Sequence, residues 1–513
     1  MSSDLGFPDR YNAAEDLLTR NAGRADDVVC IDAEGPHTYG ELTSRAGRFA
    51  ALLAREGIAP EQRVALCLTD TFDFPACFLG ALQHGAVPVP LNTRLTTKDY
   101  RYMLADCRAR ALVVSPSLLP TIEGALTSSV EHVFVTGAGA AGQTSLADAL
   151  EPASPERRFA DTREGDMAFW LYTSGTTGHP KGVVHAHRHL VETADLYATP
   201  TLGIGPDDVV FSAAKLFFAY GLGNALTFPM AVGAQAVLLE GPPTPEAVAT
   251  IFREHGPTIF FGVPTLFGML LAQESLLPRK EDLRLRLCVS AGEALPPELS
   301  RRWKERTGID ILDGLGSTEA LHIFLSNRVG AIRAGSSGVP VDGYSLRLVG
   351  DDNVELEGEA LGNLEVRGPT TAMMYWNRRD KTKATFRGEW MGTGDKYRRD
   401  ADGYYYFEGR ADDLMKVGGI WVSPFEVEST LLEHGAVLEC AVVAHPDHDE
   451  LIKPKAFVVL RDGHDASNAL GDELAEFVRG RLASYKRPRW VEFVPELPRT
   501  ATGKIQRFRL REA

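Results

Sequence analysis

Helix-length amphipathic segments alternate with short apolar runs over the first half of the chain. Residues 39–56 repeat apolar side chains at helical spacing, and the run 63–67 that follows is typical of a short buried strand. A second helical segment, 71–84, ends at Gly85, the residue type that most often closes a helix. Strands separated by helix-length segments predict βαβ units with parallel pairing. The other apolar runs that predict such strands are residues 86–91, 111–115, 209–212, 236–240, 258–261 and 285–290.

The pattern changes twice in the second half. After Pro340, short runs such as 345–349 and 362–366 alternate apolar and polar residues, which predicts a small antiparallel layer or barrel. The second change comes at residues 409–413, and the roughly 100 residues beyond it are enough for a small independent domain. Helices are predicted there over 423–434 and 472–482, and strands over 437–444 and 455–460. We place the boundary at Asp412, which gives domains 1–411 and 412–513.

Composition narrows the classes of partner. A chain of 513 residues is too long for one core, so two or more domains are expected. The net charge of −15 argues against nucleic acid or an anionic membrane as partner, although the segment from Ser484 onward is basic. Six scattered cysteines fit reduced thiols rather than a disulfide framework or a zinc site. Without an apolar signal core or a run long enough to span a bilayer, a cytoplasmic protein is expected.

The segment 171–182, Leu-Tyr-Thr-Ser-Gly-Thr-Thr-Gly-His-Pro-Lys-Gly, is the most informative motif. It follows the apolar run 167–172 and combines hydroxyl side chains, glycines and one lysine. Bare backbone N–H groups, hydroxyl donors and an ammonium are the groups that hold a polyphosphate. The spacing is not that of a Walker A loop, and composition alone also permits a flexible surface loop.

Four further segments carry candidate chemistry. The small-residue turn 290–295 would let a flat ligand lie against the backbone, or it is a plain strand–helix turn. Residues 313–319 combine glycines, a hydroxyl and a carboxylate, which could hold a phosphate and the Mg²⁺ that neutralises it. Asp395 lies in a glycine turn and could accept both hydroxyls of a ribose. Lys504 lies on a Gly/Thr-rich loop, where a lysine is otherwise a solvated surface residue.

In this order and with these gaps, the segments resemble the adenylate-forming superfamily of acyl- and aryl-CoA synthetases, luciferases and peptide-synthetase adenylation domains. The resemblance runs from about Tyr39 to the C-terminus. It implies an α/β fold with a large N-terminal domain of two doubly wound α/β subdomains plus a small β-barrel. A mobile α+β C-terminal domain would hinge at Asp412. It also implies that a carboxylate attacks the α-phosphorus of MgATP, that pyrophosphate leaves, and that a thiol then attacks the acyl-adenylate.

The resemblance also implies roles for individual residues. Lys504, Thr318 and Glu319 would be catalytic: Lys504 would bridge the substrate carboxylate and the α-phosphate, and Glu319 would bind the metal. The residues that would bind ATP or AMP are Thr173, Ser174, Gly175, Thr176, Thr177, Lys181, Gly292, Glu293, Asp313, Gly314, Asp395 and Arg410. Of these, Gly292, Glu293, Asp313 and Gly314 would line the adenine site, and Asp395 and Arg410 would contact the ribose. Gly418 and Gly419 would let the pantetheine arm pass. The expected cofactors are ATP, Mg²⁺ and coenzyme A.

The residues after position 208 bear on the acid that is activated. Residues 209–239 contain no Asp or Glu, which argues against an α-amino acid, because a buried ammonium without a partner costs several kcal/mol. Phe217, Phe218 and Tyr220 suit a flat apolar ring, although Phe217 and Phe218 could each be an ordinary core aromatic and His322 a plain core histidine. The segments 217–224 and 321–327 resemble benzoate-CoA ligases in particular. By that similarity the ring pocket would be lined by Ala219, Tyr220, Gly316, His322 and Ile323.

The sequence therefore favours an ATP-dependent aryl-CoA ligase for benzoate, an aminobenzoate such as anthranilate, or a hydroxybenzoate. One alternative is a stand-alone enzyme that loads the aryl group onto a carrier-protein thiol. Another is a binding or regulatory protein that keeps the fold without the chemistry, but Lys504, Glu319 and Asp395 together speak against it. The expected partners are the aromatic acid and coenzyme A, with the protein a monomer or homodimer.

Overall fold

The computed structural model describes residues 6–137, 143–173, 179–410, 413–417, 420–448, 451–499 and 505–511. Two largely parallel sheets dominate the part before residue 340. The nine-stranded sheet has a parallel centre and antiparallel edges. In spatial order its strands are Val339–Pro340, Ile323–Ser326, Ile311–Gly316, Leu287–Ser290, Ile259–Gly262, Val209–Ser212, Gln235–Val237, Val28–Asp32 and Gly35–Thr38.

The second sheet has five strands, all parallel. In spatial order they are Val87–Pro90, Arg63–Cys67, Ala111–Val114, His132–Val135 and Thr144–Ser145. Beside it lies a three-stranded antiparallel sheet of Met374–Tyr375, Lys181–Ala186 and Met167–Thr173. The α/β class with two wound sheets is as predicted, and the hairpin that joins the last two strands brings Lys181 opposite Thr173.

The helices pack on these sheets in the way their sequences indicate. Tyr39–Arg55 begins at a capping box formed by Thr38 and Glu41, and Asp73–His84 ends at Gly85 with φ 84°. The two helices pack closely because Gly80 has no side chain: a Cβ there would lie 2.5 Å from the Ala46 carbonyl oxygen. The other α-helices before residue 340 are Ala13–Thr19, Thr97–Cys107, Leu119–Ile122, Leu146–Leu150, His187–Thr193, Thr199–Leu202, Ala219–Leu222, Phe228–Val232, Pro245–Glu254, Pro264–Ala272 and Pro297–Thr307, and π-helical turns cover Ala194–Ala198 and Gly223–Thr227.

An antiparallel sheet of six strands lies where the small barrel was expected. Its strands are Ser345–Val349, Glu355–Leu356, Ala360–Arg367, Phe386–Arg387, Trp390–Arg399 and Tyr405–Arg410, with the helix Arg379–Thr385 between them in sequence. The sheet's apolar side chains join the core of the nine-stranded sheet, so this layer is not an independent unit.

The described residues after 413 form two hydrophobic clusters of their own. A three-stranded sheet, Val437–Pro446, Ile452–Leu460 and Trp490–Phe493, carries the helices Pro424–Leu432, Asn468–Arg479 and Arg507–Arg511. It is preceded by the hairpin Met415–Val417 and Ile420–Val422. The predicted helices and strands of this region all exist, with ends that differ by up to four residues.

All six cysteines are buried free thiols, in agreement with the prediction. Among the described helices, none combines the length and apolar character needed to cross a bilayer.

Candidate active site

The site is built where strands of the nine-stranded sheet end. Ser290 and Asp313 lie side by side on neighbouring parallel strands, and the turns beginning at Ala291 and Gly316 leave the sheet at this edge. The carboxyl ends of parallel strands are where ligands bind in open α/β sheets. The positions of the five predicted motifs are therefore described relative to this edge of the sheet.

The phosphate motif is only partly described. Ser174, Gly175, Thr176 and Thr177 lie outside the described residues, while Thr173 ends its strand opposite Lys181. The Lys181 Nζ atom lies 4.1 Å from the centre of the Tyr375 ring. Burial lowers the pKa of Lys181, and the nearby carboxylate of Glu319 opposes that change. The lysine thus lies close to Glu319 of the second predicted phosphate motif.

Thr318 and Glu319 are held from both sides of their turn. The His185 imidazole Nε2 donates to the Thr318 carbonyl oxygen at 2.8 Å, and the Ala372 N–H donates to the Glu319 carbonyl oxygen at 2.7 Å. The Tyr375 hydroxyl donates to Glu319 Oε1 at 2.7 Å. Neither Thr318 nor Glu319 is buried, so their side chains remain accessible at this edge.

Asp395 and Arg410 lie on adjacent antiparallel strands and pair directly. Arg410 Nη1 lies 2.8 Å from Asp395 Oδ1, and the glycine turn beside them lets the guanidinium approach: a Cβ on Gly394 would lie 2.9 Å from Arg410 Nη2. Arg410 is also close enough to lower the pKa of Lys181. The structure therefore brings both predicted ribose residues towards the phosphate motifs.

The predicted adenine residues occupy two neighbouring strand ends. Gly292 has φ 92°, a backbone conformation that favours glycine, and Glu293 Oε2 accepts a 3.0 Å hydrogen bond from the Thr265 hydroxyl. Asp313 is buried: Ser337 donates to its Oδ2 at 3.3 Å, while its Oδ1 has no partner among the described residues. Burial raises the pKa of Asp313 well above its ordinary value. Gly314 lies directly after it, and a Cβ there would lie 3.0 Å from Ile323 Cγ2, closer than an ordinary contact.

The predicted ring-pocket residues come from two elements that are about 100 positions apart in the chain. Ala219 and Tyr220 begin the helix Ala219–Leu222, and His322 and Ile323 lie where the strand Ile323–Ser326 begins. The Tyr220 and His322 ring centres are 5.5 Å apart, and the Tyr220 hydroxyl donates to the Val289 carbonyl oxygen at 3.2 Å. A Cβ on Gly316 would lie 2.6 Å from the His322 carbonyl oxygen, so this position is restricted to glycine.

His322 is a neutral imidazole in apolar surroundings. Burial lowers its pKa to about 3. Its Nε2 lies 3.0 Å from the carboxamide oxygen of Asn224, a group that only accepts, so Nε2 carries the proton. Phe228 and Tyr197 pack against the ring, with centres 4.4 Å and 5.7 Å away. No charged side chain is among these neighbours, in keeping with the predicted pocket for an apolar ring.

Several positioning residues were missed by the sequence reasoning. Asn224, which orients His322, lies in a segment used for the resemblance but carries no motif of its own. Tyr375 and His185, which hold Glu319 and Thr318, come from strands of another sheet. Only an alignment of relatives could have singled them out.

All four predicted residues of the C-terminal part, Asp412, Gly418, Gly419 and Lys504, lie outside the described residues. Arg499 and Ile505, the nearest described residues on either side of Lys504, form a β-bridge. Arg499 Nη1 lies 3.3 Å from the Thr265 hydroxyl and 3.9 Å from Glu293 Oε1. The described end of the C-terminal part thus contacts the predicted adenine site.

Comparison with known proteins identifies the family. The family described as AMP-binding enzyme matches residues 18–376, and its C-terminal domain matches residues 426–504. The chain belongs to the AMP-binding enzyme family, as the resemblance to adenylate-forming enzymes predicted.

The relatives extend over the whole chain. It is 55% identical to the benzoate–CoA ligase of Thauera aromatica over 99% of this chain and 97% of the relative. It is 48% identical to the 4-hydroxybenzoate–CoA/benzoate–CoA ligase of Rhodopseudomonas palustris, over 98% and 94%. Among solved structures, an anthranilate CoA ligase in complex with anthranoyl-AMP is 44% identical, with a TM-score of 0.95 over 99% of this chain and 98% of the other.

Proposed function

We propose that this chain is an ATP-dependent aryl-CoA ligase that activates a benzoate-type acid. The acid would attack the α-phosphorus of ATP, releasing pyrophosphate, and the thiol of coenzyme A would then displace AMP from the aryl-adenylate. The full-length relatives that join aromatic acids to coenzyme A support this reaction.

One observation carries the proposal. Glu319 and His322 lie three residues apart in one turn, yet their surroundings are opposite in character. Glu319 contacts Tyr375 in a group that includes Lys181, whereas His322 lies among aromatic rings. A charged phosphate site and an uncharged ring site therefore meet at a single turn, as joining an aromatic carboxylate to AMP requires.

The polar side of this turn suits MgATP. Thr318 would contact a phosphate and Glu319 would hold Mg²⁺, and a single protein carboxylate is typical of a Mg²⁺ ion whose other ligands are phosphates and water. The metal would supply neutralisation of phosphate charge. Lys181 would add a further positive charge, and Asp395 with its partner Arg410 would bind the ribose. Asp313, whose buried Oδ1 has no partner among the described residues, would line the adenine site with Gly314.

The apolar side of the turn suits an unsubstituted or lightly substituted benzoate. His322 is neutral and the Tyr220 hydroxyl is already hydrogen-bonded, so the pocket offers no ion partner for an ammonium. Benzoate, aminobenzoates and hydroxybenzoates remain the candidate acids, because a ring substituent changes selectivity in an apolar pocket by only about 1–3 kcal/mol.

The C-terminal part would complete the site. We take residues 412–513 as a mobile domain hinged at Asp412, with Lys504 as the catalytic cation and Gly418–Gly419 on the path of the pantetheine arm. The separate hydrophobic clusters after residue 413 support a domain boundary there. The contact of Arg499 with Thr265 supports delivery of the following segment to the nucleotide site.

A pyrophosphate-release screen tests the reaction. It should cover benzoate, the 2-, 3- and 4-amino- and hydroxybenzoates, cinnamate and short aliphatic acids, each with and without coenzyme A. Release that depends on a benzoate, with aryl-CoA formed from free coenzyme A, is expected. Turnover that requires a phosphopantetheinylated carrier protein would establish the loading enzyme instead, and no release with any acid would revive the binding-protein alternative.

A further inference from the structure

We infer that Asp70 and Lys215 clamp the acid-pocket segment 216–220 in place and thereby set the affinity for the aromatic acid. Both residues lie outside the motifs discussed above. The inference rests on the proposed function, because it assigns the two residues as positioning residues for the aryl-acid pocket.

The clamp joins the two large sheets. Asp70 lies three residues beyond the strand Arg63–Cys67 of the five-stranded sheet, and Lys215 lies three residues beyond the strand Val209–Ser212 of the nine-stranded sheet. Asp70 Oδ1 accepts a 3.1 Å hydrogen bond from the Leu216 N–H, and Asp70 Oδ2 lies 3.9 Å from Lys215 Nζ. The side chains are only 3% and 11% exposed, so solvent cannot replace these contacts.

A second connection crosses between the sheets at the same place. The Lys215 ammonium donates to the Leu239 carbonyl oxygen, and the Thr69 hydroxyl donates to Glu240 Oε1 at 3.1 Å. The chain at 215–216 and the chain at 239–240 are thus both tied to residues 69–70. These contacts between the two sheets hold the start of the segment after Lys215 in position.

The segment after Lys215 is short and closely packed up to the pocket. The Phe218 N–H donates to the Lys215 carbonyl oxygen at 2.9 Å, which closes a turn. Gly221 packs on the same turn, and a Cβ there would lie 2.5 Å from the Ala214 carbonyl oxygen. A shift of Lys215 would therefore displace Ala219 and Tyr220 rather than be absorbed by a loose loop.

The buried Asp70 and Lys215 side chains stabilise each other's charged forms. Burial raises the pKa of Asp70 to about 6 and lowers the pKa of Lys215, and each charge opposes the shift of the other. Arg94 and Glu240 also face Lys215, with opposite effects on its pKa. An apolar pair could fill the space, but it would leave the Leu216 N–H without an acceptor.

Two substitutions separate the hydrogen bond from the charge. Asp70→Leu removes both, whereas Asp70→Asn keeps a carbonyl oxygen for the Leu216 N–H. We expect Asp70→Leu to raise the KM for benzoate about tenfold, because a buried donor is left unsatisfied, while the KM for ATP stays within about twofold. Asp70→Asn should have a smaller effect on the KM for benzoate.

An ion pair with a buried carboxylate and an exposed arginine, at the other end of the same strand, serves as control. Asp208 precedes the strand Val209–Ser212 and lies 2.7 Å from Arg286 Nη2. Asp208→Asn should lower the thermal midpoint without changing the ratio of the two KM values. This control shows whether any loss of a buried carboxylate in this sheet disturbs the pocket.

The kinetic results distinguish a failure of the proposed function from a failure of the Asp70–Lys215 clamp alone. Pyrophosphate release by the unaltered enzyme is measured first; if no benzoate supports it, the proposed function fails and the clamp falls with it. If the enzyme is active and Asp70→Leu leaves the KM for benzoate unchanged, or raises the KM for benzoate and for ATP equally, only the clamp is overturned. A selective rise in the KM for benzoate, absent in Asp208→Asn, supports it.

Discussion

The Tyr375 hydroxyl donates a 2.7 Å hydrogen bond to Glu319 Oε1. The two residues are 56 positions apart in sequence and come from different sheets. The same tyrosine ring lies 4.1 Å from Lys181 Nζ, so one aromatic side chain orders an acid and a cation that the sequence assigns to the triphosphate. The Tyr375 side chain thereby links the Glu319 carboxylate to the Lys181 ammonium.

Tyr375→Phe keeps the ring face for Lys181 and removes only the hydroxyl. Because a hydrogen bond to a charged group contributes about 1.5–3 kcal/mol, pyrophosphate release should fall about tenfold or more. The KM for benzoate should remain the same. Steady-state kinetics with ATP and benzoate varied in turn would measure both, with Glu319→Gln expected to lose more activity. A Tyr375→Phe enzyme at full rate would show that the hydroxyl has no part in the reaction.

Substitutions in the ring pocket should change the choice of acid. Tyr220→Phe and His322→Phe alter groups that line the predicted ring site, and Asn224→Leu releases the His322 imidazole from its partner. Each should change the relative kcat/KM values for benzoate and the hydroxy- and aminobenzoates more than the KM for ATP. Equal losses for every acid, together with a raised KM for ATP, would mean that these residues lie outside the ring pocket.

Lys504→Ala should separate the two half-reactions. The adenylation step develops negative charge that the lysine would neutralise, so pyrophosphate release should drop by orders of magnitude. Thioester formation from a supplied benzoyl-adenylate should continue at close to the normal rate. Lys453→Ala, which changes a lysine of the same domain, is the matched control. Unimpaired pyrophosphate release by Lys504→Ala would refute the assignment.

Acid should destabilise the protein through its buried histidines. Burial lowers the pKa of His185 and of His187 to about 4 and that of His322 to about 3. Their stabilisation is present above the unfolded pKa near 6.5 and is lost as the pH falls below it, because the unfolded chain takes up protons that the folded one does not. Each such group contributes up to about 1.4 kcal/mol per pH unit.

Thermal unfolding between pH 7 and pH 5 would measure this effect. The midpoint should fall on acidification, and replacing His187 by Phe should weaken the dependence on pH. His464→Gln changes an exposed histidine and should leave the dependence unchanged. A midpoint that is independent of pH over this range would contradict the assignment of neutral buried imidazoles.

Local signals were sufficient for much of the secondary structure. The strands Arg63–Cys67, Val209–Ser212 and Ser345–Val349 have the predicted bounds. A short apolar run between turn residues is a signal that depends only on neighbouring residues in the sequence. Strand ends differ from the predicted bounds where tertiary contacts determine them. Gln235–Val237 is shorter than its apolar run, because the residues that follow leave the sheet and contact Thr69 and Lys215. The hairpin that pairs Thr173 with Lys181 carried no local signal.

The order and spacing of the motifs predicted the family and the aryl-CoA ligase reaction and indicated the candidate site residues, because nucleotide chemistry requires particular side chains at particular spacings. Only the folded structure reveals that Tyr375 donates to Glu319, that Asn224 is the hydrogen-bond partner of His322, and that Asp70 accepts from the Leu216 N–H. Those partners come from other strands or helices, and their effect depends on distance and burial. Neither quantity is encoded in spacing along the chain.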